Sequence, residues 1–279
     1  MLARRLLLIL LFASLLMHLT SCSPERRLAN NFVTKREPVA FLLLPPDFSY
    51  KYSYKIPDIR NFDSLPQATQ DSLLFYNSDL LQYINDSTLI NGYINGLNSG
   101  LKALGYSVYL PGSTENFVNS ASESIIVNLA QLQLEEFYDS ISDDASFGDE
   151  ELYSYELYIT ALNVNSWIEL SRVNHNDTAT QTLYASSTLT DYFDGGFRYF
   201  PLSGDVKYTY SIDSLRVEDV YYSVNNFGYL YAGYLFDYLM NDYIQKNLPP
   251  GRLATQLYTF DRYAGMVRKQ KGTGFTLLN

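Results

Sequence analysis

The stretch Pro38 to Pro46, PVAFLLLPP, has few ways to fold. It is an unbroken apolar run closed by prolines at both ends. It is too short to span a membrane as a helix. Its length suits a strand buried on both faces. Asp47 to Pro66 then reads as loop, with Tyr50, Tyr52 and Tyr54 alternating as an extension of the strand.

Residues 67–104 read as helix, broken near Asp86-Ser87, where either residue is a suitable cap. Ile90, Ile94, Leu97, Leu101 and Leu104 fall at steps of four and three and form one apolar stripe. Gly105 follows, where a left-handed residue ends a helix most easily. Tyr106 to Leu110 resumes as strand, so the segment predicts a βαβ unit with a right-handed crossover.

Strands dominate the middle of the chain. Glu123 to Tyr138 begins with buried-type Ile125, Ile126 and Val127, then alternates Leu132 and Leu134 with Gln131, Gln133 and Glu135. In Leu152 to Leu170, Leu162, Val164, Ile168 and Leu170 share one face, with Asn163, Asn165 and Glu169 on the other. Thr180 to Tyr192 and Val206 to Leu215 are expected to complete an antiparallel set, with Asp194-Gly195-Gly196 as a turn between them.

Residues 221–247 read as a second long helix with Ala232, Leu235, Phe236, Leu239, Met240 and Tyr243 on one face. Asp237, Asn241, Asp242 and Gln245 fall mostly opposite. Gly228, Ala232 and Gly233 would let its backbone approach a sheet closely, and Pro249-Pro250-Gly251 stops it. The expected class is α+β with an α/β-like start: a mixed sheet with two long helices packed on one face.

The first residues do not belong to this fold. Arg4 and Arg5 precede the apolar stretch Leu6–Met17, and Leu19-Thr20-Ser21 leads into Cys22, the one cysteine of the chain. Positive head, short apolar core and small residues mark a secretory signal. Leu19-Thr20-Ser21-Cys22 resembles a bacterial lipobox. The resemblance implies a diacylglyceryl group on the Cys22 thiol, cleavage after Ser21 and an acylated new amino terminus. Such chains contribute about 0.8 kcal/mol per buried methylene, and two of them hold a protein stably on a membrane. The expected organisation is a signal at 1–21, a lipidated tether at 22–37, a domain at 38–251 and a basic tail at 252–279.

Charge narrows the partners. The chain has 20 basic and 30 acidic residues, net −10, and loss of Arg4 and Arg5 leaves −12. That balance argues against nucleic acid, which needs clustered Lys and Arg. It also gives no general help in adhering to anionic lipid. Within 252–279, five basic residues face only Asp261, a local +4. Such a tail suits an acidic partner, the domain itself, a phosphorylated glycolipid or plain solvent.

Reagents for catalysis are sparse. His18 leaves with the signal, so His175 in RVNHNDT is the one histidine of the mature chain, and a lone loop histidine is most often a surface residue. There is no GxSxG, P-loop or helix-opening GxGxxG. With no other histidine and Cys22 acylated, a zinc site of nitrogen and sulfur ligands has no ligand set, and no cofactor is implied. Asp143, Asp144, Asp149, Glu150 and Glu151 cluster in DDASFGDEE without EF-hand spacing and read as a solvated acidic loop. A carboxylate pair for glycoside cleavage stays open.

Twenty-six tyrosines suit half-exposed sheet surfaces, and Tyr153, Tyr155, Tyr184 and Tyr192 are candidates for an aromatic binding face. Asp-Ser or Asp-Thr followed by an apolar residue or Thr recurs. It is similar to the O-glycosylation acceptor motif of exported Bacteroidota proteins, with Ser64, Thr178 and Ser214 the expected sites. With the lipobox, the PVAFLLLPP strand, the LGYSVY step and the ESIIVNLAQLQLEEF strand, the layout resembles small α/β lipoproteins of Gram-negative envelopes. These include the curli-secretion type, polysaccharide-export lipoproteins and activators of peptidoglycan synthases. The resemblance implies a non-enzymatic outer-membrane lipoprotein facing the periplasm that binds an envelope protein, with glycan or peptide binding, or carboxylate hydrolysis, as alternatives. Ser23 at the position after the lipidated cysteine does not resemble an inner-membrane retention signal. The residues behind it lack the acidic run of surface-exported lipoproteins.

Overall fold

The structure, a computed structural model, describes residues 23–35, 38–56, 61–120, 123–147, 150–173, 180–271 and 274–278. Cys22 with its signal, His175 and Thr178 lie outside the described residues. Its described residues make an α+β protein that divides into two compact units, one within residues 39–232 with 275–278 and one within residues 23–38 with 233–274.

The larger unit is built on a mixed sheet of seven strands. β1 (Val39–Leu44) lies between β3 (Ser107–Tyr109) and β4 (Glu123–Phe147), parallel to both, and is buried almost throughout. β2 (Tyr50–Ser53) continues along the same edge of β4, also parallel. Beyond β4 the sheet is antiparallel: β5 (Glu150–Arg172), β6 (Gln181–Thr190) and, at the edge, β11 (Thr276–Leu278). A bulge at Ala130 resets the alternation of β4. Leu129 and Leu132 therefore share the buried face while Gln131 and Gln133 share the other.

After α2 (Gln67–Tyr76), the long helix α3 (Asp86–Ala103) is the βα crossover. Its cap is Asn85, one residue before the expected pair, whose Oδ1 accepts from the Thr88 amide at 3.0 Å. Gly105, at φ 87°, closes it with bonds from Gly105 to Lys102 and from Tyr106 to Leu101. The stripe Ile90, Ile94, Leu97, Leu101 and Leu104 is buried.

α5 (Val217–Asn247) begins in this unit, and its glycine approach differs from the expected one. Gly228 meets a helix, not a sheet: a Cβ there would stand 2.1 Å from the Tyr93 carbonyl oxygen of α3. Gly96 returns the fit, with its own Cβ position 1.9 Å from the Asn225 carbonyl oxygen. The Asn225 amide donates to the Gly92 carbonyl at 2.8 Å. Tyr93 then places its hydroxyl beside Ser166 of β5, and the Tyr231 hydroxyl is 2.8 Å from Ser187 of β6. Both long helices thus lie over one face of the sheet. On the other face, at the β1–β3 end, Phe117 of the short helix α4 (Thr114–Val118) covers Ala40 and Leu42.

Two expectations about the middle of the chain need correction. Asp194-Gly195-Gly196 is not a turn: it lies inside β7 (Tyr192–Phe200), and the turn is Pro201–Gly204, with Gly204 at φ 74°. β8 (Asp205–Asp213) pairs with β7 in a separate two-stranded ribbon, so the Val206–Leu215 segment does not join the main sheet.

The smaller unit corrects two more. Residues 22–37 are not a simple tether: α1 spans Pro24–Lys35. Ser23 caps it, its Oγ accepting from Arg26 N–H at 3.2 Å, and Pro24 occupies the first helical position. Nor is 252–279 a loose tail, because β9 (Tyr258–Asp261) and β10 (Met266–Lys269) form a hairpin. Asn241 of α5 holds that hairpin as a strand edge would, donating to the Tyr258 carbonyl at 2.8 Å and accepting from its amide at 2.9 Å. One turn earlier Asp237 accepts from Phe260 N–H at 2.8 Å and from the Thr259 hydroxyl at 2.5 Å. Phe32 packs on Phe236 and Tyr243 at 5.3 and 5.5 Å.

Candidate binding face

Strand alternation divides the main sheet into two unlike surfaces. Leu132, Leu134, Leu162, Val164 and Ile168 turn toward the long helices. The opposite face presents Gln131, Gln133 and Glu135 of β4; Asn163, Asn165, Trp167 and Glu169 of β5; and Tyr184, Ser186 and Thr188 of β6. Tyr50 and Tyr52 of β2 align with Gln133 and Glu135 and extend this face to its edge.

These side chains are tied to one another. Gln131 donates to Gln133 and Gln133 to Glu135, each at 2.6 Å. Asn128 donates to Glu169 at 2.9 Å. Thr188 donates to Asn163 at 2.6 Å, and the Tyr184 hydroxyl to Asn165 at 2.8 Å. In the middle, Trp167 and Tyr184 hold their rings 4.9 Å apart, both half-buried. The result is a pre-ordered polar surface around a ring pair, of a kind that recognises ligands by ring contacts and amide hydrogen bonds.

A second aromatic group lies further along the same strands. Past Tyr138 and Thr160, β4 and β5 pair only with each other, and the β7–β8 ribbon joins them through its rings. Tyr155 stacks on Tyr208 at 4.2 Å, Tyr153 meets Phe197 at 5.8 Å, and Phe197 meets Tyr208 edge-on at 4.9 Å. The ribbon has a shallow groove of about 280 Å³ lined by Asp194, Gly196, Arg198, Thr209, Tyr210 and Ser211, among others. Of the four tyrosines that the sequence nominates, Tyr153 and Tyr155 join this cluster. Tyr184 belongs to the open face, and Tyr192 stands exposed at the start of the ribbon.

The carboxylates are arranged as fasteners. Glu136 and Lys55, both buried, pair at 2.8 Å. Asp191 accepts from Thr160 N–H at 2.7 Å and from Leu215 N–H at 2.8 Å, fixing both ends of the ribbon segment. Asp143 and Asp144 lie on a strand, not in a loop, and so point to opposite faces. Asp144 accepts from Ser154 at 2.7 Å; desolvation, with the charge of nearby Asp143 as a smaller cause, holds the Tyr208 phenol above its ordinary range. Among the described residues no group of three or more His, Cys, Asp or Glu is placed to hold a metal.

Ser64 is exposed and its Oγ donates to the Asn61 carbonyl at 2.7 Å. Ser214 is exposed between β8 and α5. Sequence reasoning did not single out Trp167, Lys55 or Glu136. The one usable signal was the singularity of Trp167, the sole tryptophan, in a strand otherwise alternating Leu or Val with Asn.

No family model matches the chain. No curated protein matches it. Among solved structures it is similar to a Helicobacter pylori protein named a neuraminyllactose-binding hemagglutinin homolog, at 13% identity over 76% of this chain and 90% of that one, with a TM-score of 0.32.

Proposed function

We propose that the chain is a non-enzymatic lipoprotein of the outer membrane, attached through Cys22 and facing the periplasm, that acts by binding a glycan of the envelope. The open sheet face is its contact surface. One observation carries the reading: Trp167 and Tyr184 stand 4.9 Å apart within ordered rows of amides and carboxylates, on the face away from both long helices. A flat ring beside amide donors and acceptors suits a saccharide, whose C–H faces stack and whose hydroxyls need partners.

Because Trp167 is the only tryptophan, its fluorescence reports this face alone. Soluble peptidoglycan fragments and envelope oligosaccharides, titrated into the mature protein, are expected to shift or quench that emission. Tyr184→Ala should weaken binding roughly tenfold. An emission unmoved by every saccharide, with one envelope protein recovered at near-stoichiometric yield after cross-linking in native membranes, would replace glycan binding with an assembly role.

A further inference from the structure

We infer that the smaller unit is a membrane-contacting surface that docks on the anionic headgroups of a phospholipid bilayer. The inference rests on the reading of Cys22 as the lipid attachment point. The first support is the lack of slack beside that residue. Ser23 follows it directly, and neighbouring Cα atoms are about 3.8 Å apart. Ser23 caps α1, and its Oγ lies 2.7 Å from the hydroxyl of the buried Tyr258. Acyl chains on Cys22 would therefore emerge at the surface of a folded unit, with no flexible leash between.

The second support is what surrounds that point. The buried Glu25 of α1 has the Arg252 guanidinium at 4.0 Å and Thr255 nearby, which brings the segment after Pro250 against the first turn of the helix. That segment carries Leu253, 75% exposed, and Leu257, 55% exposed. Arg26 and Arg27 are exposed in the same first turn. The positive end of a helix macrodipole disfavours cations, so the fold itself gains nothing from arginines there. Exposed leucines among arginines suit the boundary between headgroups and acyl chains.

The third support is charge. Residues 23–38 and 233–274 contain ten basic and five acidic residues, net +5. Residues 39–232 and 275–279 contain eight basic and twenty-five acidic, net −17. The acid excess that weighs against anionic lipid for the whole chain is thus confined to the other unit. The unit next to Cys22 gathers basic residues from two distant stretches of sequence. A basic patch is also the usual second signal beside an acyl anchor.

The test uses the mature protein purified from its membrane and reconstituted in vesicles of phosphatidylcholine, with or without phosphatidylglycerol. Mass spectrometry of its amino-terminal peptide shows whether Cys22 is acylated, and that result alone decides the anchor reading. Hydrogen exchange over 24–35 and 250–258 then decides the docking. Expected is a several-fold slowing in phosphatidylglycerol vesicles relative to phosphatidylcholine, lost in Arg26→Gln/Arg27→Gln with the thermal midpoint unchanged. Equal exchange in both vesicles would overturn the inference. So would protection that appears only in native membranes, which would assign the face to a protein. If Cys22 carries no acyl group, co-sedimentation of the mature chain with the same two vesicles decides the docking instead: preference for phosphatidylglycerol supports it, and equal recovery with both overturns it.

Discussion

The ammonium of Lys55 lies 2.8 Å from Glu136 Oε1, with the lysine side chain 3% exposed and the glutamate 0%. Lys55 also reaches Asp79 at 2.5 Å and the Thr160 hydroxyl at 2.8 Å. Glu136 accepts as well from the amides of Asp79 and Leu80, at 2.9 and 3.3 Å. One carboxylate inside β4 therefore fastens the end of β2 and the turn before α3. Burial works against the lysine's charge, yet the hydrogen bonds and charges of Asp79 and Glu136 outweigh it and hold its pKa above the ordinary lysine value. Being raised, it contributes stability in full below the unfolded lysine pKa and loses it only as pH rises through the folded one. Lys55→Met leaves Glu136 buried and uncompensated, and should cost about 3–5 kcal/mol in urea unfolding at pH 7. Lys55→Met with Glu136→Leu should recover part of that loss. Equal stability of Lys55→Met and the parent would show that the pair fastens nothing.

Gly228 makes a sharper prediction because two effects oppose each other. Alanine is favoured over glycine inside a helix by about 1 kcal/mol. Here the added carbon would stand 2.1 Å from the Tyr93 carbonyl oxygen, which cannot move without displacing α3. Overpacking of this kind costs about 1–3 kcal/mol or more. Gly228→Ala should therefore lower the thermal midpoint, whereas Gly196→Ala, with open space around it in β7, should leave it nearly unchanged. A raised midpoint for Gly228→Ala would mean that the two helices are not in backbone contact.

Where the sequence misled, the cause was a residue used for something other than its commonest purpose. The PVAFLLLPP run was legible because a strand walled by strands and covered on both faces has to be apolar throughout. Asp194-Gly195-Gly196 has turn composition, but Gly195 is needed inside a strand. A Cβ there would strike the Phe193 ring at 2.5 Å and the Tyr210 Cβ at 3.0 Å. Asp237 and Asn241 read as the wet side of a helix, since polarity does not distinguish a carboxylate facing water from one facing the amides of a strand. The start of α1 was written in Ser23-Pro24-Glu25, a capping pattern hidden in a polar, mixed-charge stretch. On the open face, alternation marked Gln131, Gln133, Asn163 and Asn165 as outward. It could not show that they hydrogen-bond into rows around Trp167, because that depends on the β4–β5–β6 register.

The stack of Tyr155 on Tyr208 is expected to hold the β7–β8 ribbon against the distal β4–β5 hairpin. The two tyrosines come from strands that share no ladder hydrogen bonds, so ring contacts do the joining. Tyr155→Ala should speed hydrogen exchange in β7 and β8 while leaving β1 and α3 protected. Tyr155→Phe keeps the stack, removes only the hydroxyl, and should behave nearly as the parent. Uniform loss of protection across the larger unit in Tyr155→Ala would instead mean that the ribbon and sheet unfold as one.

Asp237 gives the smaller unit a pH dependence opposite to that of most paired carboxylates. Burial raises its pKa to about 6, against the smaller lowering influences of the Thr259 hydroxyl, the Phe260 amide and the charge of Arg262. In the unfolded chain an aspartate loses its proton near pH 3.9. Between those two values the folded form binds the extra proton, so stability falls as pH rises through the window, by about 3 kcal/mol once pH passes 6. Protection factors for amides in 258–269, corrected for intrinsic exchange, should therefore be higher at pH 4.5 than at pH 7. Asp237→Asn retains a carbonyl acceptor for Phe260 N–H and an amide that the Thr259 oxygen can accept from, while removing the ionisation. That variant should match the parent at low pH, exceed it at neutral pH and show a nearly flat profile. A parent profile that rises with pH would mean that hydrogen bonding to the ionised carboxylate, not its burial, controls this site.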